Sequence, residues 1–259
     1  MPSVRLSYWF VIRPLYRFSR HNAQARRGGG KMKEARATLS PSVEDYLKTI
    51  FSLTERNEVA STSSIAAALD VQPASVTGMV KRLAGAELLQ HIPYRGVRLT
   101  GKGIREALRV IRRHRILETY LVQQLGYLWD DVHDEAEQLE HAASENLIDR
   151  MAVALENPSH DPHGSPIPTS SGEIESVDFT TLAEATEGER VRIRAVDDDK
   201  EPQGLQSMEA RGLVPGVWVR VKSRVPGKGR LVVRIEGGTE GEQSVGDDLA
   251  RRIFVTPDT

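Results

Sequence analysis

The sequence predicts an α+β, mainly α chain of three parts: an N-terminal winged helix-turn-helix, a second helical domain and a C-terminal SH3-like β-barrel. Three observations predict it. Three short amphipathic helical segments are followed by a β-hairpin, which is the order of a winged helix. Two further helical stretches then carry apolar stripes at helical spacing. After a Pro/Gly/Ser-rich boundary, "ENPSHDPHGSPIPTSSG", the apolar period changes from that of a helix to two.

The elements follow in order. "SVEDYLKTIFSL" places Val43, Leu47, Ile50 and Phe51 on one stripe, with Ser42 as expected N-cap and Pro41 before it. "TSSIAAALD" is a short helix ending at Asp70. A third helix, 73–85, has Pro73 at its first position and Val76, Val80 and Leu83 as its buried stripe. "LLQHIPYRGVRLT" reads as two strands around a Pro–Tyr–Arg–Gly turn. A long basic helix starts after "TGKG" and covers 101–125. A single helix over 131–155 is expected next, with Leu139, Ala143, Leu147, Met151 and Leu155 forming a face for a partner, such as a second subunit. "RVRIRAV", "VWVRVKSRV", "GRLVVRI" and "RRIFV" are the barrel strands. The expected division is a basic disordered extension at 1–37, a winged helix at 38–104, a helical domain at 105–157, a linker at 158–178 and the barrel at 179–259.

Composition narrows the chemistry. The 259 residues carry 39% hydrophobic and 27% charged side chains, ordinary for a globular protein. There are no cysteines, which removes disulfides, thiolate metal sites and cysteine nucleophiles. No apolar run approaches the roughly 20 residues of a membrane span, and "YWFVI" is cut off by Arg13 and Pro14, so a cytoplasmic location is expected. Residues 1–37 hold nine Arg or Lys and one Glu, a net +8 against −1 for the whole chain. The tail ends in "RRGGGKM", readable as a translated ribosome-binding site, which points to Met32 as the natural start. The competing reading is a basic arm for nucleic acid phosphates.

In a winged helix-turn-helix the second helix of the motif enters the DNA major groove. Here that is 73–85. Gln72 leads into it, and Ala74, Ser75, Thr77, Gly78, Lys81 and Arg82 lie opposite its buried stripe. Ser and Thr can bond to bases or phosphates, Ala can touch a thymine methyl, and Lys81 and Arg82 suit phosphates. Tyr94 and Arg95 occupy the wing tip.

"HDEAEQLEH", 133–141, concentrates acid. At about 100° per residue His133, Glu137, Glu140 and His141 share one arc of a helix, while Asp134 and Glu135 point elsewhere. A solvated acidic face and a metal site both fit that pattern. His114 and Glu118, four residues apart, share a face of the preceding helix. Asp45 lies off the apolar stripe of the first helix. No zincin H-E-x-x-H is present, no second copy of a di-iron carboxylate motif accompanies Glu137 and His141, and neither a Ser/His/Asp triad nor a phosphate loop is evident, so an enzyme is not expected.

Taken together, "SVEDYLKTI", "VQPASVTGMVKRL", "YRGVRLTGKG", "HRILE", "VHDEAEQLEH" and "PHGSPIP" resemble the metal-dependent repressors of the diphtheria toxin repressor and manganese transport regulator family over residues 38–259. The resemblance implies a primary metal site at Asp45, Glu137, Glu140 and His141 and an ancillary one at His114, Glu118 and His133, with one or two ions per subunit. Its longer members carry an SH3-like (FeoA-like) domain that adds a glutamate and a glutamine to the ancillary site, for which Glu201 and Gln203 are nearest. Carboxylates at positions 45 and 137, where the iron-responsive branch has sulfur ligands, favour Mn²⁺, with Fe²⁺ the alternative. Lys48 departs from the manganese branch, which has a bridging glutamate there. His21, His91, His160 and His163 match no ligand position and are expected in loops or at the surface. The implied function is metal-dependent repression of metal-uptake genes by a homodimer on a palindromic operator. The alternative outside that class is a metal storage or catalytic bundle that does not need DNA.

Overall fold

The computed structural model describes residues 39–56, 59–176, 179–197, 202–225, 229–237 and 241–258; the basic tail, His21 and Glu201 lie outside them. The N-terminal part is α1 (Pro41–Arg56), α2 (Thr62–Ala68), α3 (Pro73–Gly85), β1 (Leu89–Ile92) and β2 (Gly96–Leu99), with β1 and β2 antiparallel. Helix α1 begins one residue before the expected cap. The Ser40 carbonyl accepts from Val43 and Glu44, and Pro41 fits the first turn because no N–H is needed there. Val43, Leu47 and Ile50 meet Ile65, Val76, Val80, Leu83, Leu89, Val97 and Leu99 in one apolar core. Ser61 caps α2, accepting from the Ser64 N–H at 3.0 Å. The hairpin is pinned to this cap: Ala60 and Val97 exchange backbone hydrogen bonds, and a Cβ on Gly96, which has φ +133°, would lie 2.2 Å from the Ala60 carbonyl oxygen.

Helix α4 (Gly101–Leu125) is capped by Thr100, whose hydroxyl accepts from the Gly103 N–H, so the "GKG" residues form its first turn rather than preceding it. Its end is set by Gly126 in the left-handed conformation. The helix crosses the expected boundary at 104/105, so the winged helix and the second helical domain share one continuous rod.

The single helix expected over 131–155 is two, α5 (Val132–Glu140) and α6 (Glu145–Ala154). Ser144 explains the break, because its hydroxyl accepts from the Leu147 N–H and starts a new helix that cannot continue α5. The redirected α6 buries Ile148, Ala152 and Leu155 against Ile116, Leu117 and Leu121 of α4. Leu139, Leu147 and Val153 remain exposed, so the expected partner face keeps Leu139 and Leu147 and loses Leu155.

Residues 158–178, expected as a linker, begin with a packed strap in which Asp161 and 163–168 are buried. Arg115 and Arg112 of α4 donate to the carbonyls of Pro166 and Pro168. Beyond the strap come β3 (Thr180–Thr181), β4 (Arg190–Val196), α7 (Pro202–Glu209), β5 (Trp218–Val225), β6 (Arg230–Ile235), β7 (Gln243–Gly246), α8 (Asp247–Ala250) and β8 (Ile253–Pro257). They form an antiparallel sheet in the order β3-β8-β4-β5-β6-β7, and the four period-two segments of the sequence supply β4, β5, β6 and β8. The Val196 N–H donates to the His163 carbonyl, so strap and sheet are joined through backbone.

Two glycines make a paired test. Gly96→Ala is expected to destabilise the N-terminal domain by about 2 kcal/mol or more, since it combines a strained φ with a backbone clash. Gly78→Ala, whose Cβ would meet nothing within 4 Å, is expected to stabilise α3 by about 0.5–1 kcal/mol. Urea unfolding followed by circular dichroism measures both, and equal midpoints for the two variants would refute the assignment.

Candidate metal centre and DNA-reading face

Three elements meet at one buried carboxylate. Glu140, on the last turn of α5, is fully buried, and its two oxygens face different neighbours. Oε1 accepts from Lys48 Nζ of α1 at 2.8 Å and lies 3.6 Å from His141 Nε2. Oε2 lies 2.6 Å from His114 Nδ1 of α4. Around Oε1 the ligand atoms of Asp45, Glu140 and His141 all fall within 4.8 Å of one another. His141 Nε2 is 2.9 Å from Asp45 Oδ1, and its Nδ1 donates to Glu44 Oε2 at 2.7 Å. Glu44 is in turn ion-paired with Arg113 at 2.6 Å. Glu44 and Asp45 are adjacent carboxylates on α1, and only what each one faces tells the two apart. A carboxylate fixing the far nitrogen of a histidine is the usual support of a metal-ligating imidazole.

A second cluster adjoins the first. His114, Glu118 and His133 bring their ligand atoms within 4.8 Å. His114 Nε2 is 2.9 Å from Glu118 Oε1, and His133 Nδ1 is 3.2 Å from the same oxygen. Glu137 faces this side: its Oε1 is 3.6 Å from His133 Nε2 and 3.4 Å from Lys48 Nζ, and the residue is half-exposed. The structure therefore brings together Asp45, Glu140 and His141 in one group and His114, Glu118 and His133 in another, with Glu137 between them.

A third cluster was not read from sequence. Glu118, Asp161 and His163 are all buried, with ligand atoms within 4.8 Å. His163, expected in a loop or at the surface, lies in a loop that is packed so that the residue is fully buried. Its Nε2 donates to the Trp129 carbonyl at 2.6 Å, and its ring stacks on Trp129. In the neutral tautomer that hydrogen bond leaves the Nδ1 lone pair directed towards Glu118, whose Oε2 is 3.9 Å away. Glu118 Oε2 is buried without a hydrogen-bond partner among the described residues. Asp161 accepts from the His163 and Ser165 N–H groups and sits 3.4 Å from Arg115 Nε, which explains the burial of a polar loop. "PHGSPIP" carries no signal of that burial by itself, since Pro and Ser are mostly exposed residue types. His160 and His91 are loop and surface residues as expected, half-buried and exposed respectively. Gln203 is exposed on the first turn of α7.

The electrostatics follow from these contacts. Burial opposes a charge on His114, but Glu118 and Glu140 hydrogen-bond its two nitrogens and push it up to about 9. Glu118 is held well below the usual carboxylate range by His114 and His133 against the cost of burial. A hydrogen bond from His133, aided by Lys48, brings Glu137 down to about 2. Burial raises Asp45, and the neighbouring Glu140 and Glu137 add to that. Burial alone would depress the Lys48 ammonium, yet Glu140 and Glu137 hold it above the ordinary lysine value. Protons and Lys48 thus compensate carboxylates that a divalent cation could compensate instead.

The DNA-reading face is open. Gln72, Ala74, Ser75, Thr77, Gly78, Lys81 and Arg82 are all exposed along α3, opposite Val76, Val80 and Leu83. Tyr94, at φ +62°, and Arg95 project from the turn between β1 and β2. The Thr77 hydroxyl donates back to the Pro73 carbonyl at 3.1 Å.

A winged helix joined by one helix to buried histidine–carboxylate clusters defines a metal-responsive DNA-binding regulator. Models of three domains match the chain: the N-terminal DNA-binding domain of iron-dependent repressors at 38–97, their metal-binding and dimerisation domain at 100–169, and a FeoA domain at 180–257. The chain belongs to the iron-dependent repressor family, whose members are transcriptional repressors and not enzymes. It is 32% identical over 206 residues to the iron-dependent repressor IdeR of Mycobacterium tuberculosis, covering 75% of this chain and 89% of the relative. It is 42% identical over 112 residues to the transcriptional regulator MntR of Oceanobacillus iheyensis, covering 43% of this chain and 76% of the relative. Among solved structures, a manganese-dependent transcriptional repressor in complex with manganese superposes with a TM-score of 0.76 at 34% identity, over 83% of this chain and 99% of that one. No helix among the described residues is long and apolar enough to cross a membrane.

The raised His114 value carries a pH prediction. A group whose folded pKa lies above its unfolded value of about 6.5 stabilises the fold fully below that pH and loses the contribution as pH rises through about 9. Metal-free protein in chelator is therefore expected to lose thermal stability between pH 7 and pH 9.5. His114→Gln should flatten that decline, and a decline unchanged in the variant would contradict it.

Proposed function

We propose that this protein is a Mn²⁺-dependent repressor that binds a palindromic operator as a homodimer. The observation that carries the reading is the convergence of Asp45, from the DNA-binding domain, with Glu140 and His141, from the end of α5, within 4.8 Å. Glu137 completes the proposed primary set. Every donor is oxygen or imidazole nitrogen, which suits a harder divalent ion, and the superposable repressor holds manganese. Fe²⁺ is the second reading, favoured by the iron-dependent relative that spans most of the chain.

A bound divalent ion would supply positive charge that neutralises the clustered carboxylates. Asp45 then ties α1 to α5, Glu44 keeps the His141 ring oriented, and Arg113 holds Glu44 in place. Glu118 is common to the two remaining clusters, so the proposed ancillary site is built on it. His114 and His133 lie on one side, Asp161 and His163 on the other, and the orphaned Glu118 Oε2 is the atom that favours a cation there. We assign base reading to Gln72, Ala74, Ser75 and Thr77, with a close approach of the DNA backbone at Gly78 and backbone contact from Lys81, Arg82, Tyr94 and Arg95. In a twofold dimer the two α3 helices must stand about one DNA turn apart or a multiple of it. Moving the binding-competent population from 1:99 to 99:1 requires about 5.5 kcal/mol of metal preference.

Fluorescence anisotropy on operator fragments with Mn²⁺, Fe²⁺, Zn²⁺ or chelator tests this. Tight binding with Mn²⁺, reversed by chelator, is expected; metal-independent binding would remove the switch, and no binding at all would revive a metal bundle without DNA. Glu137→Ala should cut the metal-dependent gain at least 10-fold, while Glu135→Ala, off the ligand arc, should leave it unchanged. Equal effects of the two would contradict the assignment.

A further inference from the structure

We propose that Trp129 is a docking plug that holds the C-terminal barrel against the helical domain, and that docking of the barrel and a divalent ion at Glu118 strengthen each other. The coupling rests on the reading that the cluster around Glu118 binds metal. Trp129 belongs to the turn between α4 and α5, yet its side chain lies in the apolar core of the barrel, whose other buried members run from Leu182 to Val255. The helices on either side of that turn bury their own residues in a different core, around Ile116, Leu121, Val132 and Ile148. One aromatic side chain of the helical domain thus completes the core of its neighbour.

His163 is the second part of the contact. Its Nε2 donates to the Trp129 carbonyl at 2.6 Å, and its ring stacks on the indole with centroids 5.6 Å apart. Its own carbonyl accepts from the Val196 N–H of β4. The next residue, Gly164 at φ +86°, runs so close to β4 that a Cβ would strike the Arg194 carbonyl. Withdrawal of Trp129 would therefore draw His163 away from Glu118 Oε2, now 3.9 Å from its Nδ1. It would also disturb the start of α5, where His133 pairs with the other Glu118 oxygen. Docking and the arrangement of donors around Glu118 depend on the same contacts, so whatever fixes one favours the other. The dock is also built to release. Trp129 Nε1 and Asp130 Oδ1 are buried without a hydrogen-bond partner among the described residues, a cost that exposure to water would remove.

The test uses the full chain with Trp9→Phe and Trp218→Phe, which leaves Trp129 as the only indole. Acrylamide quenching of its fluorescence and hydrogen exchange at the Val196 amide are followed in Mn²⁺ and in chelator. In Mn²⁺ the indole should be shielded and the amide protected, and chelator should weaken both by at least about 5-fold. Asp45→Ala, which disables the other cluster, should keep that difference, and Glu118→Gln should abolish it. Trp129→Ala should speed Val196 exchange under both conditions, while Trp129→Phe, which restores an apolar ring, should bring back the protection by Mn²⁺. The quenching comparison stands whether or not the alanine variant folds. Equal shielding and equal exchange in Mn²⁺ and chelator would overturn the coupling, and unchanged Val196 exchange in folded Trp129→Ala protein would overturn the plug. An Asp45→Ala protein that retains no Mn²⁺ in equilibrium dialysis would instead overturn the metal reading on which the coupling rests.

Discussion

The arrangement depends on burying one carboxylate, Glu140, with a different partner on each oxygen. A buried carboxylate is costly unless it is paired and hydrogen-bonded, and Glu140 is satisfied by groups from two other helices. Lys48 reaches it from α1 and His114 from α4. These two helices and α5 can pack as they do only if all three side chains arrive together. Removing either partner would leave a charge without compensation in the interior, so the constraint acts on helix placement as well as on chemistry.

That constraint also explains why neighbouring groups shift in opposite directions. His114 is raised and Glu118 is lowered because each stabilises the other's charged form, at the cost of desolvating both. Asp45 rises because it is partly buried beside two other carboxylates, with His141 and Lys48 compensating only in part. A cation entering near Asp45 meets a site whose negative charge is incompletely offset. A cation entering at His114 must first displace a proton. Under the proposed reading, metal binding at the two places therefore answers differently to pH, although Glu140 touches groups of both.

The winged helix was legible in the sequence because its elements are locally encoded: periodic apolar stripes, Pro73 at a helix start and a four-residue wing turn. The barrel strands were legible through their period of two. Helical geometry put His133, Glu137, Glu140 and His141 on one arc of α5 and its cap, without dividing them between two clusters. What sequence did not reveal depends on contacts between distant segments. The hydroxyl of Ser144 ends one helix and starts another, yet the apolar stripe continues across it and conceals the break. His163 looked like a loop residue because its burial comes from Trp129 and Glu118, 34 and 45 positions away. Glu44 and Asp45 are neighbouring carboxylates, and only the position of His141 shows that the pair divides into one support and one ligand candidate.

The continuity of α4 determines what a metal ion could change. Because α4 starts at the wing, passes Glu140 and carries Glu118, it cannot serve as a hinge without breaking its own hydrogen bonds. An ion could act at the gap between α1, with the α2–α3 reading head behind it, and the end of α5. Asp45 and Lys48 stand on one side of that gap, and Glu137, Glu140 and His141 on the other. The Lys48 ion pairs already span it with a single positive charge, so the metal-free protein is expected to hold the gap loosely rather than to release it. A divalent ion bound by Asp45 adds a second, stronger link across the same gap. Under this reading the ion selects a narrower range of α3 orientations from those Lys48 permits, which is population shift through one interface and needs no rearrangement of the fold.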